Sequence, residues 1–222
     1  MTDFSLARVN MVESQVRPNG ITDRRIIDAM ATIAREDFLP PRKRQLAYVD
    51  DDIEIAPAAA GFAPRVMIEP MALARLIHLA TVRPTDRVLH IGAATGYGTA
   101  VLARLAANVV ALESDGRLID GLRASAASFP HVQVVDGPLA EGYSAGGPYD
   151  IIFIEGRIAE VPAGLFSQVS EGGRVVAVLG ESEMAKACLW TLAGNTPTRR
   201  AAFDASVGAL PGFARRRPDF LF

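Results

Sequence analysis

Apolar residues recur at helical spacing through the first third of the chain and then gather into short unbroken runs, and this change of period sets the predicted architecture. Leu6, Val9, Val12 and Val16 mark one helical stripe, and Ile26, Ile27, Met30 and Ile33 mark a second. Pro18-Asn19-Gly20 supplies the turn between them, and Thr22 is the predicted N-cap of the second helix. Residues 53–65 hold Pro57, three consecutive alanines, Gly61 and Pro64, with no helical period and few polar groups, which predicts an apolar cover over something. Helical spacing returns through Met71, Ala74, Ile77 and Ala80. After Pro84-Thr85-Asp86, residues 87–91, 109–112, 132–135, 151–154 and 174–179 read as strands, separated by helices over 98–106, 117–129 and 163–169. Short apolar strands alternating with helices imply an α/β fold whose mostly parallel sheet is covered on both faces. The tail differs. Residues 186–192 and 199–205, joined through Gly194-Asn195-Thr196-Pro197, predict an antiparallel hairpin at the sheet edge, although 185–192 also reads as a helix by propensity.

Composition narrows the classes. The 222 residues are 50% hydrophobic and 22% charged with a formal net charge of −2, enough chain to bury a large core without disulfides or metal. The one cysteine, Cys188, excludes an intramolecular disulfide and a cysteine-rich zinc site, and fits a reducing cytoplasm. Met1-Thr2-Asp3-Phe4 lacks a basic n-region and an apolar h-region, and no window approaches about eighteen uncharged apolar residues, so neither secretion nor membrane spanning is expected. The absence of a long Lys/Arg block argues against a nucleic-acid platform, and Arg42-Lys43-Arg44 and Arg215-Arg216-Arg217 read as solvated faces. His78, His90 and His131 lie in separate elements, so no metal site is expected. No Gly-x-Ser-x-Gly elbow suggests a serine hydrolase, and Cys188 reads as core rather than nucleophile.

The chemistry concentrates in Val88-Leu89-His90-Ile91-Gly92-Ala93-Ala94-Thr95-Gly96-Tyr97 and, about twenty residues on, Val109-Val110-Ala111-Leu112-Glu113. A strand runs into a small-residue loop and a helix, and a second strand ends in a carboxylate, the arrangement by which Rossmann-like folds hold a nucleoside. Gly92 and Gly96 let the backbone turn tightly and approach a ligand, while Glu113 is placed to accept from both ribose hydroxyls. A dinucleotide loop wants Gly-x-Gly-x-x-Gly, and here the spacing gives Ala94 and Tyr97 instead. The loop resembles the first motif of S-adenosylmethionine-dependent methyltransferases, in which an acidic residue commonly sits two places before the first glycine. Here that place is His90, and the usual second glycine is Ala94. A neutral His90 imidazole would hydrogen-bond the cofactor's amino group and a protonated one would repel it; the other reading is a satisfied histidine at a strand end.

A longer resemblance is collinear. Met11-Val12-Glu13-Ser14-Gln15-Val16-Arg17, Gly20-Ile21-Thr22-Asp23, Asp28-Ala29-Met30, Arg35-Glu36-Asp37-Phe38-Leu39-Pro40 and Leu46-Ala47-Tyr48 resemble, in order and spacing, the N-terminal region of protein-L-isoaspartate O-methyltransferases. The likeness continues through the cofactor loop, Pro148-Tyr149-Asp150-Ile151-Ile152, Glu160-Val161-Pro162 and Glu171-Gly172-Gly173-Arg174-Val175-Val176, and covers roughly residues 9–180. It implies a Rossmann-like methyltransferase fold with a helical N-terminal cap, S-adenosyl-L-methionine as cofactor, and methyl transfer to isoaspartyl carboxylates in damaged proteins. By the same resemblance Gly92, Gly96, Glu113, Asp136 and Gly137 line the cofactor, with Asp136 near the adenine amino group; His90, Ala94 and Tyr97 of the same loop complete the candidate cofactor contacts. By its residues alone, Asp136-Gly137 is a strand-terminating turn. One domain over residues 1–222 is expected, with a helical cap and substrate lid over 1–85, a cofactor-binding core over 86–180, and an edge hairpin and tail over 181–222.

The departures fall where the acceptor should sit. The family normally carries Thr-Ile-Ser, one variable residue and Pro, its serine helping to position the substrate carboxylate; this chain has Val66-Met67-Ile68-Glu69-Pro70, which puts Ile68 at the serine position. After the fourth strand a small Thr-Ala-Ala segment is replaced by Glu155-Gly156-Arg157, and Asp-Gly-x-x-Gly-Trp has become Asp136-Gly137-Pro138-Leu139-Ala140-Glu141-Gly142-Tyr143. A carboxylate acceptor is already ionised at neutral pH and needs no general base, so the protein must supply position and orientation, worth up to about 7–11 kcal/mol of barrier. Arg157 either grips that carboxylate with two parallel hydrogen bonds or pairs with Glu155, Glu69 or Glu160. If Glu69 and Glu155 stand unpaired, a cationic or neutral acceptor fits better than an anionic one. A non-catalytic, cofactor-binding homologue is the further alternative. On the isoaspartyl reading, returning a serine at position 68 is expected to raise turnover.

Overall fold

The computed structural model describes residues 3–182, 184–194 and 196–213; Asn195 and the Arg215-Arg216-Arg217 cluster lie outside them. Helix α1 (Phe4–Met11) starts at Asp3, whose carboxylate accepts from the Leu6 N–H at 3.1 Å. It runs on into a π turn over Val12–Val16 and a 3-10 turn over Arg17–Asn19, and Gly20 closes the segment at φ +77°. Only half of the first predicted stripe is buried: Met11, Val12 and Val16 are in the core, whereas Leu6 and Val9 face solvent. The π turn takes an extra residue and shifts the phase of the apolar face, so α1 reaches the core only at its last turn. Helix α2 (Arg24–Thr32) buries Ile26, Ile27 and Met30. Its cap is Asp23, not Thr22: the Asp23 carboxylate accepts from the Arg25 N–H at 2.9 Å, and an ionised acceptor at a helix start also answers the helix dipole.

Residues 53–65 begin and end in strands. Ile53-Glu54-Ile55 carries the period-2 burial of a strand, and β1 (Ile53–Ala56) pairs antiparallel with β2 (Arg65–Met67). The intervening residues 57–64 are exposed. Helix α3 (Pro70–Ala80) follows, buried through Leu73, Leu76 and Ile77.

Alternation then proceeds as predicted: β3 (Arg87–Ile91), α4 (Tyr97–Ala103), β4 (Asn108–Glu113), α5 (Gly116–Ala126), β5 (Val132–Asp136), β6 (Tyr149–Ile158), α6 (Ala163–Phe166) and β7 (Val169–Leu179). The predicted helix over 163–169 stops early because Val169 pairs with Tyr149 in the sheet. β8 (Ala185–Ala193) and β9 (Thr196–Ala205) form the edge hairpin, which overturns the helical alternative for 185–192; Ala177 and Val178 of β7 claim Cys188 and Ala187 as antiparallel partners.

The seven strands lie in the order β5-β4-β3-β6-β7-β8-β9, parallel from β5 to β7 and antiparallel beyond. One apolar cluster joins the cap, α3 and α4 to one face, and a second, with Leu89, Ile152, Leu165 and Trp190, fills the other. Arg174 of β7 ties the layers together, donating to the Ala80 carbonyl at 2.8 Å and to the Asp86 carboxylate at 2.5 Å. From β3 the chain builds outward through β4 and β5, then returns to β3's other side at β6. The crevice at the carboxyl ends of β3 and β6 is thus a topological switch point, where open α/β sheets take ligands.

Candidate active site

The loop after β3 is built on left-handed backbone. Gly92 and Gly96 have φ of +81° and +97°, and Ala94, where the methyltransferase motif commonly has glycine, also sits at φ +52°. A Cβ in that region costs roughly 1–2 kcal/mol, which is why a glycine suits the position. The Gly92 and Ala93 N–H groups donate to the Leu112 carbonyl at 3.0 and 3.2 Å, so the loop is anchored to β4. Gly96 is needed for packing: a Cβ there would run into Ser125 and Leu122 of α5. Tyr97 is buried behind the loop, and burial pushes its hydroxyl up to about 12 against the pull of the nearby Arg35 guanidinium.

Glu113 ends β4 beside this loop, wholly buried. Its Oε2 accepts from the Ala94 N–H at 2.8 Å, and its Oε1 from the Ser114 and Asp115 N–H groups at 2.8 and 2.9 Å. Arg65 of β2 then grips both oxygens, Nη2 to Oε2 at 2.9 Å and Nη1 to Oε1. Sequence reasoning did not single out Arg65. Its signal was that residues 53–65 hold only two charges, Glu54 and Arg65. Asp136 pairs in register with Glu113 from the end of β5 but is exposed, and Gly137 donates its N–H to the Glu113 carbonyl at 3.0 Å.

His90 is fully enclosed on β3. Its Nδ1 lies 2.9 Å from the Thr99 hydroxyl, and its ring meets Phe153 edge-on. Its Nε2 is 3.0 Å from Glu155 Oε2, out of hydrogen-bonding alignment. The Glu155 carboxylate presses on Gly98, where any Cβ would collide with it. Glu155 therefore faces His90 rather than Arg157. Leu210, from the segment after β9, covers the loop from the other side: a Cβ on Gly92 would stand 2.8 Å from its Cδ2. That segment is laced to β6 by Arg157 N–H to Gly208 carbonyl and Leu210 N–H to Arg157 carbonyl, both 2.8 Å.

Ile68 points into the core, and its carbonyl accepts from Arg35 Nη2 at 2.7 Å. The Arg157 guanidinium reaches the Val207 and Gly180 carbonyls at 3.4 Å and makes no ion pair with Glu69 or Glu155 among the described residues. Arg157, Asp51, Asp52 and Glu69 instead line a cavity of about 360 Å³. Burial, with help from Asp50, Asp52 and Asp51, pushes the Glu69 carboxyl up to about 7. Asp52 accepts from the Glu69 and Gly208 N–H groups, each at 2.8 Å, and so links the start of α3 to the segment carrying Leu210. A cavity of about 650 Å³ between the cap and α5, lined by Phe38, Pro40, Arg117 and Gly121, meets the loop only at Thr95.

Known proteins are similar to this chain in sequence and fold. The family described as protein-L-isoaspartate(D-aspartate) O-methyltransferase matches residues 7–196. A protein-L-isoaspartate O-methyltransferase of Koribacter versatilis is 34% identical over 186 residues, 83% of this chain and 81% of that protein. A solved protein-L-isoaspartate O-methyltransferase superposes with a TM-score of 0.79 at 24% identity, over 93% of this chain and 67% of that one. A Plasmodium falciparum structure of the same description, in complex with S-adenosyl-L-homocysteine, gives 0.74 at 17% identity, over 92% of this chain and 98% of that one. The fold agrees with theirs and the sequence match spans most of the chain, and the chain belongs to the protein-L-isoaspartate(D-aspartate) O-methyltransferase family.

Proposed function

We propose that this protein transfers a methyl group from S-adenosyl-L-methionine to the carboxylate of isoaspartyl residues in damaged proteins. The observation that carries this reading is the family match over residues 7–196 on a sheet whose switch-point crevice is flanked by the Gly92–Gly96 loop and Glu113. The backbone frame suits a nucleoside: a left-handed loop, a carboxylate at the end of β4, and Asp136 beside it at the end of β5. The side chains do not suit it as they stand. Both Glu113 oxygens are held by Arg65, the space before Gly98 by Glu155, and the face of Gly92 by Leu210, so in this conformation the chain's own side chains stand against the loop and the carboxylate.

The site residues proposed for the cofactor remain His90, Gly92, Ala94, Gly96, Tyr97, Glu113, Asp136 and Gly137, with residues 1–222 acting as one domain. A cytoplasmic location, with no nucleic-acid or membrane partner, fits the composition and Cys188, and among the described residues no helix is long and apolar enough to cross a membrane. A second reading, a different acceptor, is favoured by one observation: three carboxylates, Asp51, Asp52 and Glu69, share the cavity with Arg157 while Ile68 is turned into the core. Such a lining attracts a cationic or neutral group. Labelled S-adenosyl-L-methionine offered with matched isoaspartyl and aspartyl peptides separates the two. Label on the isoaspartyl peptide alone supports the first reading, and label on neither, with transfer to a cationic or neutral acceptor, supports the second.

A further inference from the structure

We propose that Arg65 is an internal competitor for Glu113, so that the β1–β2 hairpin and the Leu210 segment plug the cofactor pocket and admit S-adenosyl ligands only when they withdraw. The inference rests on reading Glu113 as the nucleoside-holding carboxylate. Three N–H groups of the chain's own backbone already donate to the carboxylate, two to Oε1 and one to Oε2, which leaves it little further acceptor capacity. The Arg65 fork takes the edge that remains, one N–H to each oxygen, which is also the edge two neighbouring ribose hydroxyls would need. The pair is shut away from water, at 3% and 0% side-chain exposure, so no solvent weakens the competitor.

The plug has a latch and a coupling. Arg117 of α5 donates to the Pro57 carbonyl at 2.7 Å and lies over the Phe62 ring at 4.6 Å, clasping the exposed tip of the hairpin that carries Arg65. Asp52, one residue before β1, accepts from the Gly208 N–H at 2.8 Å. The hairpin and the segment bearing Leu210 are thereby joined, and withdrawing one loosens the other. Leu210 and Arg65 also meet the same glycine: Leu210 packs on Gly92, and Arg65 Nη2 reaches the Gly92 carbonyl at 3.4 Å.

Titration calorimetry of the full chain with S-adenosyl-L-homocysteine tests this, comparing wild type with Arg65→Ala, Leu210→Ala and Arg117→Ala, each first checked for a cooperative melt. A closed majority state lowers apparent affinity by the fraction of open molecules, so Arg65→Ala is expected to bind about tenfold or more tighter. Leu210→Ala and Arg117→Ala should tighten binding severalfold. Arg117 stands outside the pocket, which keeps the test alive should Arg65→Ala fail to fold. If wild type binds and none of the folded variants binds more tightly, the plug is wrong while the cofactor reading survives. Weaker binding by Arg65→Ala would make Arg65 a cofactor ligand, and no binding by any folded variant would overturn both.

Discussion

Removing the Glu113 charge while leaving Arg65 in place strands a guanidinium in a site it shares with almost no water. Glu113→Gln keeps one carbonyl oxygen, able to go on accepting from Ala94 or from Ser114 and Asp115, but it presents an amide where Arg65 needs the other oxygen. Breaking one side of a buried pair costs about 3–5 kcal/mol, and the retained backbone acceptor puts Glu113→Gln at the lower end, about 3 kcal/mol. At roughly 2–4 °C per kcal/mol for a chain of this size, the melting temperature should fall by roughly 6–12 °C. Arg65→Met leaves the carboxylate its three backbone donors and should cost less than Glu113→Gln. The double variant should be more stable than the sum of the two losses implies, by about 1–3 kcal/mol, because the second change removes a charge the first had orphaned. Urea unfolding of the four proteins, with m constant across the set, measures the cycle. Single losses below about 0.5 kcal/mol that add without coupling would refute a formed pair in solution.

Other expectations concern the acceptor side. Glu69, held up near 7 by burial, binds its proton more tightly folded than unfolded, so stability should fall as pH rises from about 4.5 to 7, and Glu69→Gln should flatten that slope in thermal melts; an unchanged slope would mean the carboxyl is not perturbed. Ile68→Ser should lower stability by about 2–4 kcal/mol in urea unfolding, since it opens a cavity and places a hydroxyl in the core, and it should not raise isoaspartyl turnover as the family pattern suggests. Asp52→Ala orphans the Glu69 and Gly208 N–H groups, at about 1–3 kcal/mol each if they stay dry, and should speed proteolysis after β9, whereas Asp52→Asn should preserve much of the protection.

The strands and the loop were legible because each strand between residues 87 and 179 is an apolar run closed by turn residues, and because the spacing of Gly92, Gly96 and Glu113 marks a strand-to-helix turn followed by a strand that ends in a carboxylate. The N-terminal helices came from their apolar stripes, and the resemblance made them a cap. Local competitions were harder to read: Asp23 displaced its neighbour Thr22 as a cap, a π turn rotated α1, and the alternation in Ile53-Glu54-Ile55 was masked by the alanines and prolines that follow. Long-range events had no sequence period. Arg65 reaches Glu113 across 48 positions, and Leu210 meets Gly92 from a tail segment whose own pattern signals nothing. Arg157 illustrates the remaining gap, since a cation close in sequence to Glu155 reads as its ion-pair partner, yet its guanidinium reaches main-chain carbonyls of the tail and of β7's end.

A crystal structure of the full chain grown with saturating S-adenosyl-L-homocysteine tests the account at its centre. The expected result has the ribose hydroxyls on Glu113, the amino-acid end near His90 and Glu155, and the Arg65 guanidinium drawn away with the β1–β2 hairpin. Ligand bound elsewhere on the protein, with Arg65 still paired to Glu113 and Leu210 still on Gly92, would contradict it.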